Sequence, residues 1–94
     1  MTIKESIKAA ISSVYKHSVF RERSAEYITG LCNSRHKGSD TMSFLPPIPK
    51  IEVTGIDDKH DQWTLVFDDL TIDYIVTWRP STVKPGQFVL EMIE

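Results

Sequence analysis

The chain has 94 residues, 40% of them apolar and 26% charged, a net charge of −2 and one cysteine, Cys32. That length holds one domain, since two cores of half the size would not sustain themselves, and the balance of residue types is that of a globular chain, not a disordered one. A lone cysteine excludes an internal disulfide framework, no apolar run approaches the roughly 20 residues that span a bilayer, and Lys4, Glu5 and Lys8 break up the apolar block a secretory signal needs; a cytoplasmic chain is expected.

Residues 2–16 predict an amphipathic helix. Ile3, Ile7, Ala10, Ile11, Val14 and Tyr15 recur at the spacing that places them on one face. Thr2 followed by Glu5 fits a capping box. A second helical pattern, with Phe20, Tyr27, Ile28, Leu31 and Cys32 as its stripe, predicts a helix from about Val19 to Asn33. Its stripe is rotated by roughly 100° from the first at 3.6 residues per turn, which argues for a break near His17–Ser18 with Ser18 as N-cap. No Gly or Pro enforces that break, so one long bent helix is the alternative.

Residues 34–49 predict a connector. Ser34, Gly38, Ser39, Asp40 and Ser43 mark a loop, and Pro46, Pro47 and Pro49 force an extended course. The remainder alternates with period two. Ile51 and Val53 begin one strand; Trp63, Leu65 and Phe67 mark a second; Leu70, Ile72, Tyr74, Val76 and Trp78 a third; Phe88, Leu90 and Met92 a fourth. A tight turn at Asp68–Asp69 pairs Phe67 with Leu70, Leu65 with Ile72 and Trp63 with Tyr74, placing all six on one face. The expected fold is therefore α+β: two N-terminal helices (residues 1–33) packed on the aromatic face of a four-stranded antiparallel meander (residues 50–94).

Charge is unevenly spread. Residues 1–50 hold eight basic and four acidic side chains, and residues 51–94 hold three basic and nine acidic ones, which makes the halves +4 and −6. Two electrostatic surfaces follow if the halves in sequence are also halves in space.

Chemistry-bearing patterns are weak. Cys32 and His36 have the i, i+4 spacing of half a zinc site, but no further Cys or close His pair completes four ligands, so a core cysteine and a solvated histidine are expected. Asp57, Asp58, His60 and Asp61 make an acidic turn. Lys59 and Gln62 stand where an EF-hand loop needs a ligand and a glycine, so a solvated hairpin turn is expected. No G-x-S-x-G elbow selects a serine nucleophile, and no clustered glycines cradle a phosphate. Neither a cofactor nor a metal is expected.

Two surfaces compete as interaction sites. The outer sheet face is expected to show Glu52, Thr54, Thr64, Val66, Thr71, Asp73, Ile75, Thr77, Val89 and Glu91, with Val66, Ile75 and Val89 as an apolar strip among acids. With the acidic turn, this yields the leading expectation: a small non-enzymatic protein-binding module, of the inhibitor or regulatory-adaptor kind found in phages and mobile elements. Its contacts would be Asp57, Asp58, Asp61, Asp73, Val66 and Ile75, and its partner a basic protein, such as a nucleic-acid-binding one whose phosphate site the acids mimic. The same outer face offers a homodimer surface. The alternative is nucleic-acid binding through Arg21, Arg23, Arg35 and Lys37 at the ends of the second helix, against which stand Glu22, Glu26 and the acidic isoelectric point. A small hydrolase or nuclease ranks last, because no convergent carboxylates are evident.

Overall fold

A computed structural model of the chain describes residues 2–16, 18–38 and 50–94, the side chains of 35–38 excepted. The Pro-rich stretch of the expected connector and the side chains of Arg35, His36 and Lys37 thus lie outside the described residues. The elements are α1 (Ile3–Tyr15), β1 (Val19–Phe20), α2 (Ala25–Gly38), β2 (Lys50–Gly55), β3 (His60–Val66), β4 (Thr71–Pro80) and β5 (Phe88–Ile93). The strands form one antiparallel sheet in the order β1-β5-β4-β3-β2. The expected meander is present as β2 to β5, and a fifth strand joins it.

α1 begins where the capping pattern predicts. The Thr2 Oγ1 accepts from the Glu5 N–H at 3.1 Å, and Ile7, Ala10, Ile11 and Tyr15 form its buried face. The helix stops at Tyr15, so the helical segment is two helices, not one bent rod.

The second helix departs from expectation at both ends: it runs on past Asn33 to Gly38, so Ser34 to Gly38 are helix and not the start of the connector, and it also begins later than expected. Val19 and Phe20 are not its first turn; they are β1, opposite Val89 and Phe88 at the sheet edge. Phe20 does share spacing with Tyr27 and Ile28, but it reaches the core from a strand. Its ring lies 5.8 Å from that of Tyr15 and 5.0 Å from that of Trp78, and it is fully buried. The cap is accordingly Ser24 and not Ser18. The Ser24 Oγ accepts from the Tyr27 N–H at 3.3 Å, and its carbonyl accepts from the Ile28 N–H at 3.0 Å.

The central hairpin has the register predicted from its two alternations. Trp63 faces Tyr74 and Leu65 faces Ile72, and the Phe67 N–H donates to the Leu70 carbonyl at 2.9 Å. The inner face weakens at the turn, where Phe67 is half-buried and Leu70 exposed. Both helices cover this face. Tyr74 donates its hydroxyl to the Lys4 carbonyl at 2.6 Å, and one core unites Ile7, Ile11, Tyr15, Phe20, Ile28 and Cys32 with Trp63, Leu65, Tyr74, Val76 and Trp78. Each such large apolar side chain contributes about 1.5–3 kcal/mol through burial. The edge strand β2 is tied to α2 at Ile51, whose N–H donates to the Thr29 Oγ1 at 3.0 Å while that hydroxyl donates to the Ile51 carbonyl at 3.3 Å. Thr29 thereby blunts one stretch of open edge.

β5 breaks the expected alternation. Val76 faces Ile93 and Thr77 faces Met92, yet Trp78 faces Leu90, so Glu91 is an extra residue on β5. The bulge flips the phase. Leu90 and Ile93 are buried, whereas Met92, expected in the core, is 50% exposed.

Candidate functional surface

The geometry of the acidic turn follows from the pairing of β2 with β3. Gly55 faces Asp61, and the same side of the sheet carries Trp63 and Leu65. Asp61 therefore points inward and is 4% exposed, although in sequence it looks like one member of an exposed Asp57–Asp58–Asp61 cluster. Such a carboxylate needs a partner, and Arg23 supplies it. The Arg23 Nη2 donates to Asp61 Oδ1 at 2.7 Å and its Nε to Oδ2 at 2.9 Å, a two-pronged contact across 38 residues of chain. Oδ2 also accepts from the Trp78 Nε1–H at 2.9 Å.

Arg23 does more than neutralise Asp61. Its Nη1 donates to the Asp58 carbonyl at 2.9 Å and its Nη2 to the Asp57 carbonyl at 3.4 Å. The guanidinium carbon stands 5.3 Å from the Phe88 ring centroid and 5.7 Å from that of Trp78. The hydrogen bond to Asp61 raises the Arg23 pKa above its ordinary value. Arg23 belonged to the expected nucleic-acid patch and Asp61 to the expected acidic patch; the fold sets each against the other, Asp61 buried and Arg23 half-buried over it.

Asp57 and Asp58 remain outside, at the hairpin tip. Asp57 Oδ1 accepts from the backbone N–H of Lys59 at 2.8 Å and of His60 at 2.9 Å, and lies 2.8 Å from the His60 Nδ1. The bond from the Lys59 backbone, then that from the His60 ring, holds the Asp57 carboxyl below its ordinary pKa. Asp57 thus shapes the turn, while the Asp58 side chain is exposed.

The outer face of the sheet has no helix on it among the described residues. Glu52, Thr64 and Asp73 form a row across β2, β3 and β4, and the Thr64 hydroxyl donates to Asp73 Oδ1 at 2.6 Å. The anticipated apolar strip does not run together. Val66 stands between Lys50 and Thr71, whereas Ile75 stands between Gln62 and Glu94. The two are four residues apart along the strand direction, about 13 Å. Val89, the third member, is 6% exposed, flanked in the sheet by Val19 and Arg79. The outer face is therefore polar and of mixed charge, with Glu52, Asp73 and Glu94 beside Lys50 and Arg79, and its exposed Ile75 and Met92 are diagonal neighbours across β4 and β5.

Of the nine acidic side chains in residues 51–94, Asp61 alone is buried; the other eight, from Glu52 to Glu94, are exposed. Among the described residues only Glu52, opposite Lys50 at 3.6 Å, and Asp57, opposite His60, join Asp61 in ion pairs. On the helical side the basic surplus shrinks. With Arg23 half-buried against Asp61, Arg21 is the described member of the expected basic patch that stays exposed, its guanidinium carbon 5.4 Å from the Tyr27 ring centroid.

Cys32 is 1% exposed, and burial pushes its pKa up to about 12. A thiol held neutral and away from solvent is a poor nucleophile and metal ligand, in keeping with a core cysteine. No cluster of three or more His, Cys, Asp or Glu side chains arranged to hold a metal occurs among the described residues. No helix there is long and apolar enough to cross a membrane. Comparison with protein-family models, curated proteins and solved structures gave no match.

Proposed function

We propose that the chain is a protein-binding module that engages a basic surface on a macromolecular partner through the outer face of its sheet and the adjoining hairpin tip. Glu52 and Asp73 stand at the centre of that surface, with Thr64 between them and with Asp57 and Asp58 at its rim. Val66 and Ile75 add separate apolar contacts. The observation that carries the reading is the division of the acids: the fold consumes Asp61 and leaves eight carboxylates of the sheet segment exposed. Surfaces of one sign steer encounter with partners of the other and discriminate against like-charged ones. An inhibitor or adaptor acting by occupancy of a basic site fits this design.

The test uses the immobilised chain and its Glu52→Lys/Asp73→Lys variant against cell extract. Each captured protein is then purified and titrated against both chains at low and high salt. Binding to a basic protein that weakens with salt and is lost in the variant supports the proposal. Equal binding by both chains overturns it. So does salt-sensitive binding of single-stranded or duplex oligonucleotides, read by fluorescence anisotropy, that disappears in Arg21→Glu/Arg35→Glu/Lys37→Glu.

A further inference from the structure

The sheet has a second unpaired edge, and its surroundings say what it accepts. β1 spans only Val19 and Phe20 and covers β5 at Val89 and Phe88. Beyond that point no strand pairs with β5 on this side among the described residues. Ile75 and Glu94 exchange both backbone hydrogen bonds, at 3.1 and 2.9 Å. In an antiparallel pair the next residue then turns its own N–H and carbonyl the opposite way. Ile93 accordingly turns both groups toward this side, where the residue is 4% exposed.

That side is a groove of about 270 Å³ between α1 and β5, whose lining includes Lys8, Ser12, Lys16, Glu91, Ile93 and Glu94. Lys8, Ser12 and Lys16 recur every fourth residue and so form one row along α1. Neither lysine has a carboxylate within 4 Å among the described residues. The lysines are separated by about 12 Å of helix rise, and Glu91 and Glu94 by about 10 Å of strand. One wall is cationic, the other anionic, and the two charge spacings match.

We infer that the occupant of this groove is β5 of a second copy of the chain. A purely acidic or basic ligand would meet repulsion from one wall, whereas a two-fold partner brings Glu91 and Glu94 to the other copy's Lys8 and Lys16, and the reverse. This is the self-complementarity an isologous dimer requires. The two β5 strands run antiparallel in line with β1, and each Ile93 N–H donates to the other copy's Ile93 carbonyl. The groove shares Met92 and Glu94 with the border of the outer sheet face, while Glu52, Thr64 and Asp73, at the centre of the proposed partner surface, lie outside it, so the two readings fail separately.

Sedimentation velocity over a range of concentrations tests it, on surface variants that leave the core untouched. The wild-type chain is expected to dimerise. Lys8→Glu/Lys16→Glu and Glu91→Lys/Glu94→Lys are each expected to weaken the dimer about tenfold or more. An equimolar mixture of the two variants is expected to recover it, because every reversed wall then meets a reversed strand. Exchange of the Ile93 amide should slow as concentration rises. A wild-type chain that stays monomeric, variants that associate as tightly as wild type, or a mixture that fails to associate overturns the inference.

Discussion

Two aspartates on the central hairpin, Asp61 and Asp73, meet opposite fates. Asp61 sits on β3 at an inward position, bound by Arg23 and Trp78 and almost closed to water. Asp73 sits on β4 at an outward position, held by the Thr64 hydroxyl and open to solvent. The difference is one of strand parity. A residue one step along a strand changes from scaffold to surface. The acidic surplus of residues 51–94 is therefore not one patch, and which acids remain available is decided by register, not by their grouping in sequence.

The comparison breaks most sharply at Asp61. Asp61→Ala leaves Arg23 and the Trp78 Nε1–H without their acceptor, and is expected to cost about 3–5 kcal/mol. Asp73→Ala removes an exposed acceptor and should stay within about 0.5 kcal/mol. Urea denaturation followed by tryptophan fluorescence measures both. Similar losses at the two sites would show that burial does not separate them.

The two tryptophans sharpen the contrast within the core. Trp78 donates to Asp61, whereas the buried Trp63 Nε1–H has no hydrogen-bond partner among the described residues. Trp63→Phe removes a donor whose burial carries a desolvation penalty; Trp78→Phe strips a bond from a buried carboxylate. Trp78→Phe is expected to be the more destabilising by about 1–2 kcal/mol, read from the same denaturation curves.

Titration supplies smaller, signed effects. Burial holds Cys32 at about 12, against an ordinary 9.0, and holds Tyr74 at about 12, against 10.0. In both cases the folded chain binds its proton more tightly than the unfolded one. Their contribution is complete below pH 9.0 and is lost as pH rises toward about 12. The denaturation midpoint should fall across that window, and Cys32→Ser should reduce the slope. Asp57 has the opposite sign. Its carboxyl lies below the ordinary 3.8, so the turn is favoured above that pH and loosens as pH falls through the lowered value. A carboxyl-carbon NMR titration should place the Asp57 midpoint below 3.8; a midpoint at or above it would remove the turn's pH dependence.

Much of this architecture is legible in the residues because local and cross-strand patterns agree. The alternations through Trp63–Phe67 and Leu70–Trp78 meet in phase, and the pairing of Trp63 with Tyr74 and of Leu65 with Ile72 follows from that alone. Thr2 and Glu5 likewise mark the start of α1. Phe20 misleads because a core aromatic two helical turns from Tyr27 and Ile28 reads the same whether it arrives on a helix or on a two-residue strand. Glu91 misleads because a bulge changes phase without a glycine or proline to announce it. The Arg23–Asp61 contact has no local signal, since the partners are 38 positions apart and only the assembled sheet brings them together. The exposed row of Glu52, Thr64 and Asp73 is legible in part: its outward parity can be read, but the Thr64–Asp73 bond depends on exact register.

The most direct test of the account is a double-mutant cycle at Arg23 and Asp61, using Arg23→Met and Asp61→Leu. If these groups neutralise each other inside the fold, each single change is strongly destabilising, the pair together is much less so, and the coupling free energy is about 2–3 kcal/mol. Additive losses, with coupling near zero, would mean that the two charges act separately, and Asp61 and Arg23 would return to the surfaces that sequence alone assigns them.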